Sequence, residues 1–367
     1  MSPERRKKKK GAGVGSFVAI LFLSTVAFLA LIFCVFLLIR IDGMQNDEEE
    51  LRESVNKLNE IEEEGYITEA DALRLIEEER AKTEKETTGK IVDWVRNQLL
   101  EGNSTKWMLR NMYRTFSNEL IVESSGGYFF FPVREDYKPA LVDASELQPD
   151  EDGIIQYRGA DAQIDGSFGI DVSRFQGKID WEKVAADGVK SAFIRVGFRG
   201  SSEGKLSEDP QFVSNIEGAL ANGIDVGVYF YTQAINEEEA VEEADFVIEA
   251  LEPYEIRLPV VFDFESADSD EARTNHLTQE QNTDHVLAFC ERISAAGYQP
   301  MVYGNLKSFL LLLDMDRLEH LKKWFAFYDT KQYFPYEYSY WQYFDKGQVD
   351  GIQGDVDLNI CIEDLGR

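Results

Sequence analysis

The chain has 367 residues, 44% of them hydrophobic and 12% aromatic, enough for two domains or one large domain with additions. Its net charge of −30 argues against a nucleic-acid partner, because phosphate backbones are bound through an excess of Lys and Arg. Three Cys and three His supply no disulfide framework, no metal-ligand spacing and little basis for a Ser-His-Asp triad, so no metal or other cofactor is expected.

A basic cluster, Arg5, Arg6 and Lys7 to Lys10, precedes an uncharged run. The apolar part of that run, residues 17–39, is long enough to span about 30 Å of hydrocarbon at about 1.5 Å per residue. It lacks the short apolar core and small-residue cleavage site of a removable signal, and the bulky Phe33 before Cys34 fits a lipid-attachment site poorly. Positive charge stays on the cytoplasmic side. This predicts a cytoplasmic tail over 1–15, a single transmembrane helix over 16–40, and an extracellular remainder facing the cell wall. Residues 41–90 read as an acidic helical stalk in which Leu51, Val55, Leu58 and Ile61 form a narrow apolar stripe. Self-association through that stripe is the alternative to a plain spacer. Residues 91–160 read as a small α+β module: Trp94, Trp107, Met108, Met112, Tyr113 and Phe116 suit one-sided helices, and residues 128–133 suit a strand.

Beyond residue 166 strand and helix signals alternate, with strands expected at 168–172, 191–198, 225–232, 258–265 and 299–303. Asp209 before Pro210, Asn236 with Glu239, and Thr278 with Gln281 read as helix starts, the last two as capping boxes. A Leu-rich helix runs to Leu313, and the remaining signals are strands only, at 324–328, 339–343 and 357–360. Such alternation predicts a parallel, barrel-like α/β fold, whose chemistry sits at the carboxyl ends of its strands. Cys290 and Cys361 are expected as buried free thiols, although a pairing is open to them.

The stretch with chemical content is Pro259-Val260-Val261-Phe262-Asp263-Phe264-Glu265. Residues two apart on a strand face the same way, so Asp263 and Glu265 project together with Cα atoms about 6.6 Å apart. Two readings follow. The pair is solvated at a strand exit, or it is a general acid beside a charge-stabilising partner, the two-carboxylate arrangement of glycoside cleavage.

Gly169-Ile170-Asp171-Val172-Ser173-Arg174-Phe175-Gln176-Gly177, followed by Ile179-Asp180-Trp181, resembles the first strand of glycoside hydrolase family 25 lysozymes. The resemblance continues in order through Phe193 to Gly197, Gly227 to Tyr231, Pro259 to Glu265, Tyr303-Gly304-Asn305, Trp341-Gln342-Tyr343 and Gly354 to Asn359. It covers residues 166–367 and implies an irregular TIM-like (β/α)5(β)3 barrel that hydrolyses the β-1,4 bond between N-acetylmuramic acid and N-acetylglucosamine. By the same resemblance Glu265 is the protonated general acid and Asp263 its ionised partner. Asp171 and Asp357 support them. Tyr229, Tyr231, Tyr303 and Trp341 are read as sugar contacts, with ordinary core packing as the alternative for Tyr231, Tyr303 and Trp341. Arg195 is expected in a structural ion pair. Arg174 and Phe175 depart from the His or Asn and the Trp common there. The resulting expectation is a membrane-anchored wall hydrolase with peptidoglycan glycan strands as partner; the alternative is a catalytically silent peptidoglycan-binding scaffold.

Overall fold

The computed structural model describes residues 69–124, 127–266 and 271–364. The predicted tail, the transmembrane segment and the stalk up to residue 68 lie outside the described residues. Among the described ones no helix is long and apolar enough to cross a membrane. The chain divides into two units between Gly102 and Asn103.

In the first unit, α1 (Glu69–Leu100) is a single helix of 32 residues. Its surface is mostly charged, with Glu79–Lys82 and Asp93–Arg96 pairs one turn apart. The boundary predicted at residues 90/91 falls inside this helix. Gly89 is the break signal there, but one helical glycine costs only about 1 kcal/mol, too little to end a long helix.

The second unit begins with α2 (Thr105–Phe116), whose first turn is capped by Ser104 accepting from the Trp107 amide. Next come an antiparallel hairpin, β1 (Glu119–Ser124) with β2 (Gly127–Pro132), and a smaller one, β3 (Leu147–Pro149) with β4 (Ile155–Tyr157). These residues do not form the separate module predicted for 91–160. Trp107 Nε1 donates to the Lys331 carbonyl at 3.2 Å, and Ala140 N to the Pro335 carbonyl at 2.9 Å. The Tyr336 hydroxyl accepts from Arg134 N, and Tyr137 donates to Asp316. Each bond joins the segment to residues more than 170 positions away, so segment and barrel fold as one unit.

The barrel strands are β5 (Ile164–Val172), β6 (Ser191–Arg199), β8 (Asp225–Tyr231), β9 (Val260–Asp263), β10 (Pro300–Asn305), β11 (Lys322–Ala326), β12 (Tyr340–Gly347) and β13 (Val356–Asp364). Short β7 (Leu206–Glu208) pairs with β6 only. Neighbours from β5 to β12 are parallel, and β13 closes the ring antiparallel to both β12 and β5. Helices α3 (Trp181–Ala186), α4 (Phe212–Ala221), α5 (Glu237–Leu251), α6 (Gln279–Ala295) and a π-helical turn (Ser308–Leu312) with α7 (Met315–Leu318) follow the first five parallel strands. Five βα units and three further strands match the expected barrel.

Strand alternation divides the core into two layers. Ile194, Phe230, Phe262, Phe325 and Trp341 face outward toward the helices, while Phe193, Val261, Met301, Tyr303, Trp324 and Tyr340 fill the interior. Gly227 matters to the inner layer: a Cβ there would lie 2.3 Å from the Phe193 ring, which stacks on Trp324 at 4.5 Å. Cys290 and Cys361 are buried and unpaired.

Two helix-start expectations are corrected. Thr278 and Gln281 do form a reciprocal box, but Asp209 does not cap α4. Its carboxylate is drawn to Arg195, with which it forms the expected ion pair at 2.7 Å, and to the Arg174 and Gln211 amides. Asn236 caps α5, whereas Glu239 turns to Arg273 and the Ile235 amide instead of closing the box.

Candidate active site

Every parallel strand delivers its last residues to one rim, and β13, running the other way, delivers its first. Cross-strand register therefore sets Asp357 opposite Asp171, and Asp263 between Tyr231 on β8 and Tyr303 on β10. Glu265 follows two residues after Asp263, on the loop leaving β9. All of these side chains line one cleft of about 510 Å³, with Tyr229, Trp324, Tyr328 and Gln342 as further walls and Arg174, Phe175, Arg195 and Phe198 on one flank.

Gln342 is the hub of the floor. Its Oε1 accepts from the hydroxyls of Tyr303 (2.7 Å) and Tyr328 (2.9 Å), and its Nε2 donates to Asp171 Oδ2 at 2.8 Å. The same carboxylate oxygen accepts from Asn359 Nδ2 at 2.8 Å, while Asn359 Oδ1 accepts from Trp324 Nε1. Buried groups joined in this way have one arrangement available, so Asp171 and Tyr303 are held before any ligand arrives, while Tyr328 reaches Gln342 from the exposed side.

Three of the four acids hold a proton more tightly than a free carboxyl does. Burial lifts Asp171 to about 6, opposed by the amides of Asn359 and Gln342 and by Asp357. Burial, then the charges of Asp171, Asp345 and Glu265, lift Asp357 to about 9, so at neutral pH it is the protonated partner of an ionised Asp171. Asp263 is buried and pushed well above the carboxylate range, by desolvation first and then by Glu265 and Asp171. Glu265 is exposed. Asp263 Oδ1 has no hydrogen-bond partner. Asp263 takes this shift because it ends the buried strand, whereas Glu265 stands exposed two residues further on. Burial also raises the Tyr229 and Tyr303 hydroxyls well above 10, which keeps both neutral.

Residues 170–352 match the family model for glycosyl hydrolases family 25. Over these residues the chain is a glycosyl hydrolase family 25 domain. It is a glycoside hydrolase of the lysozyme, or muramidase, class. Lysozyme M1 of Streptomyces globisporus is 28% identical over 209 residues, covering 54% of this chain and 68% of that protein. The uncharacterized protein YegX of Escherichia coli K12 is 27% identical over 196 residues, 52% of this chain and 68% of YegX. Among solved structures, a family 25 glycosyl hydrolase from Bacillus anthracis superposes with a TM-score of 0.47 at 23% identity, over 55% of this chain and 91% of that one.

Within this family 25 barrel, seven of the eight expected site residues share the cleft: Asp171, Tyr229, Tyr231, Asp263, Glu265, Tyr303 and Asp357. Trp341 does not. It is fully buried in the outward layer, donating from Nε1 to the Phe327 carbonyl and packing edge-on to Tyr343. Its neighbour Gln342 occupies the inward position, as a period of two requires. Sequence reasoning missed Gln342, Trp324, Tyr328 and Asn359. One signal for Gln342 was available: a polar residue flanked by aromatics in a strand must face something polar.

Proposed function

We propose that the chain is a membrane-tethered, wall-facing muramidase that cleaves the β-1,4 bond from N-acetylmuramic acid to N-acetylglucosamine during local remodelling of its own wall. Membership of family 25 and the lysozyme relatives support the bond. The basic cluster followed by a long apolar run supports the tether, which limits reach and so favours local over diffusible action. The observation that carries the catalytic reading is that Asp263 and Glu265 line one cleft, one buried and the other exposed.

The unpartnered Oδ1 of Asp263 suits an amide N–H, which the 2-acetamido group of the sugar supplies. A donor placed there favours the carboxylate form of Asp263 and lowers its hold on a proton. The sugar also displaces water from Glu265. The proton shared by the pair then passes to Glu265, which protonates the leaving glycosidic oxygen as the bond to the anomeric carbon breaks. The acetamide oxygen, oriented by Asp263, closes on that carbon. Water then opens the ring so formed, returning its proton to Glu265. Ionised Asp171 adds negative potential near the developing positive charge.

The test is clearing of purified walls by the full chain in detergent, compared with E265Q. The variant should lose activity by about 10²- to 10⁴-fold. Mass analysis should find muramic acid at the new reducing end; glucosamine there would mean that another bond is cut. Equal clearing by both proteins would refute the acid assignment, and no clearing by either would favour the scaffold. For the tether, the full chain should stay with membranes through alkaline washing, and release by the wash would refute it.

A further inference from the structure

Two of the residues lining the cleft are cations, and they differ in what neutralises them. Arg195 is locked to buried Asp209, with Nε and a terminal nitrogen each 2.7 Å from Oδ2. Arg174 has no carboxylate within ion-pair distance among the described residues, although four acids line the same cleft. Its guanidinium instead lies over the rings of Phe175 (5.1 Å) and Phe198 (5.2 Å), the rings that also face Arg195. Two guanidiniums and one carboxylate leave this flank one unit positive on a chain of net charge −30.

The placement is rigid. Arg174 opens a short 3-10 turn closed at both ends by Ser173 and Gln176, and Gln176 Nε2 is anchored to the Asp355 carbonyl at 3.1 Å. The Arg174 amide donates to Asp209 Oδ2 at 3.0 Å. The backbone is held while the exposed side chain remains available to solvent at the cleft. A guanidinium backed by aromatic rings presents a planar donor fork that matches a carboxylate in two parallel bonds. A neutral glycan would give such a cation nothing to bind, and an anionic one would be repelled by the acids without it.

We propose that Arg174 is a specificity residue that reads a carboxylate carried by the muramic-acid substituent of the glycan. This deepens the muramidase reading and rests on it. The carboxylate has two sources: the lactyl group itself, free in peptide-stripped glycan, or the peptide joined to that lactyl group. In either case Arg174 acts on binding, and the Asp263–Glu265 pair continues to set the chemistry.

The experiment measures kcat and KM of the full chain, R174Q and R174K on three glycan oligomers of alternating N-acetylmuramic acid and N-acetylglucosamine. One carries free lactyl carboxylates, one carries peptides with free carboxylates, and one carries the same peptides fully amidated. On the oligomer that presents the recognised carboxylate, R174Q should raise KM about 10- to 100-fold with little change in kcat, the loss expected for one charge-assisted contact. R174K should recover part of that loss. On the amidated oligomer the three proteins should agree within about twofold. A rise in KM only on the peptide-free oligomer assigns the lactyl group, and a rise only on the free peptide assigns the peptide. Equal KM values on every oligomer, or the same rise on the amidated one, overturn the proposal. If the unsubstituted chain cleaves none of the three, the muramidase reading itself fails and takes the proposal with it.

Discussion

Asp357 and Asp171 face each other across two antiparallel strands, and each shifts the other's hold on a proton. Their proton affinities are raised to about 9 and about 6. Between roughly pH 4 and pH 9 the folded chain therefore holds protons that the unfolded chain has released, and stability falls as pH rises through that window. Asn at position 357 mimics the neutral acid without titrating. D357N should melt above the unsubstituted chain at pH 8, with the gap closing toward pH 4 in thermal scans. A gap of the same size at both ends would mean that Asp357 is ionised at rest. At this scale the acids were legible because each sits where a strand enters or leaves the rim. Their charge states were not, since burial depends on what the other strands place around them.

The strand is the scale at which sequence reading succeeded and failed for one reason. A period of two states that Asp263 and Glu265 share a face, and the cleft holds both. The same period states that Trp341 and Gln342 oppose each other, but not which one faces inward. That phase is set by neighbours: Trp341 pairs with Phe325 and Gln342 with Ala326, and only in the closed ring does the inner layer fall to Gln342. The direction of β13 was hidden likewise, because an isolated apolar strand reads the same both ways. W341L should cost about 2–4 kcal/mol through lost burial and a cavity. Its kcat/KM on walls should stay within about twofold, a change of less than 0.5 kcal/mol. Chemical denaturation paired with a clearing assay checks this, and a selective fall in kcat/KM would return Trp341 to the cleft.

For the whole molecule, the negative charge sets the response to salt. Walls bearing anionic polymers repel this chain most at low ionic strength, where the screening length is about 30 Å against about 10 Å at 0.1 M. Clearing of such walls should rise with moderate salt, and a flat profile from 10 to 150 mM would count against repulsion as the limit on encounter. The region before the barrel has a bearing of a different kind. The match to the family begins at residue 170, yet Tyr333, Phe334 and Tyr336 are buried in the unit that starts at Asn103, with Tyr137 edge-on to Tyr336 and the Arg110 guanidinium over Phe327 and Tyr333. A protein trimmed to the recognisable enzyme would thus emerge with an aromatic flank stripped bare, and it should precipitate where one beginning at Asn103 stays in solution. The compact unit of this hydrolase is larger than its signature.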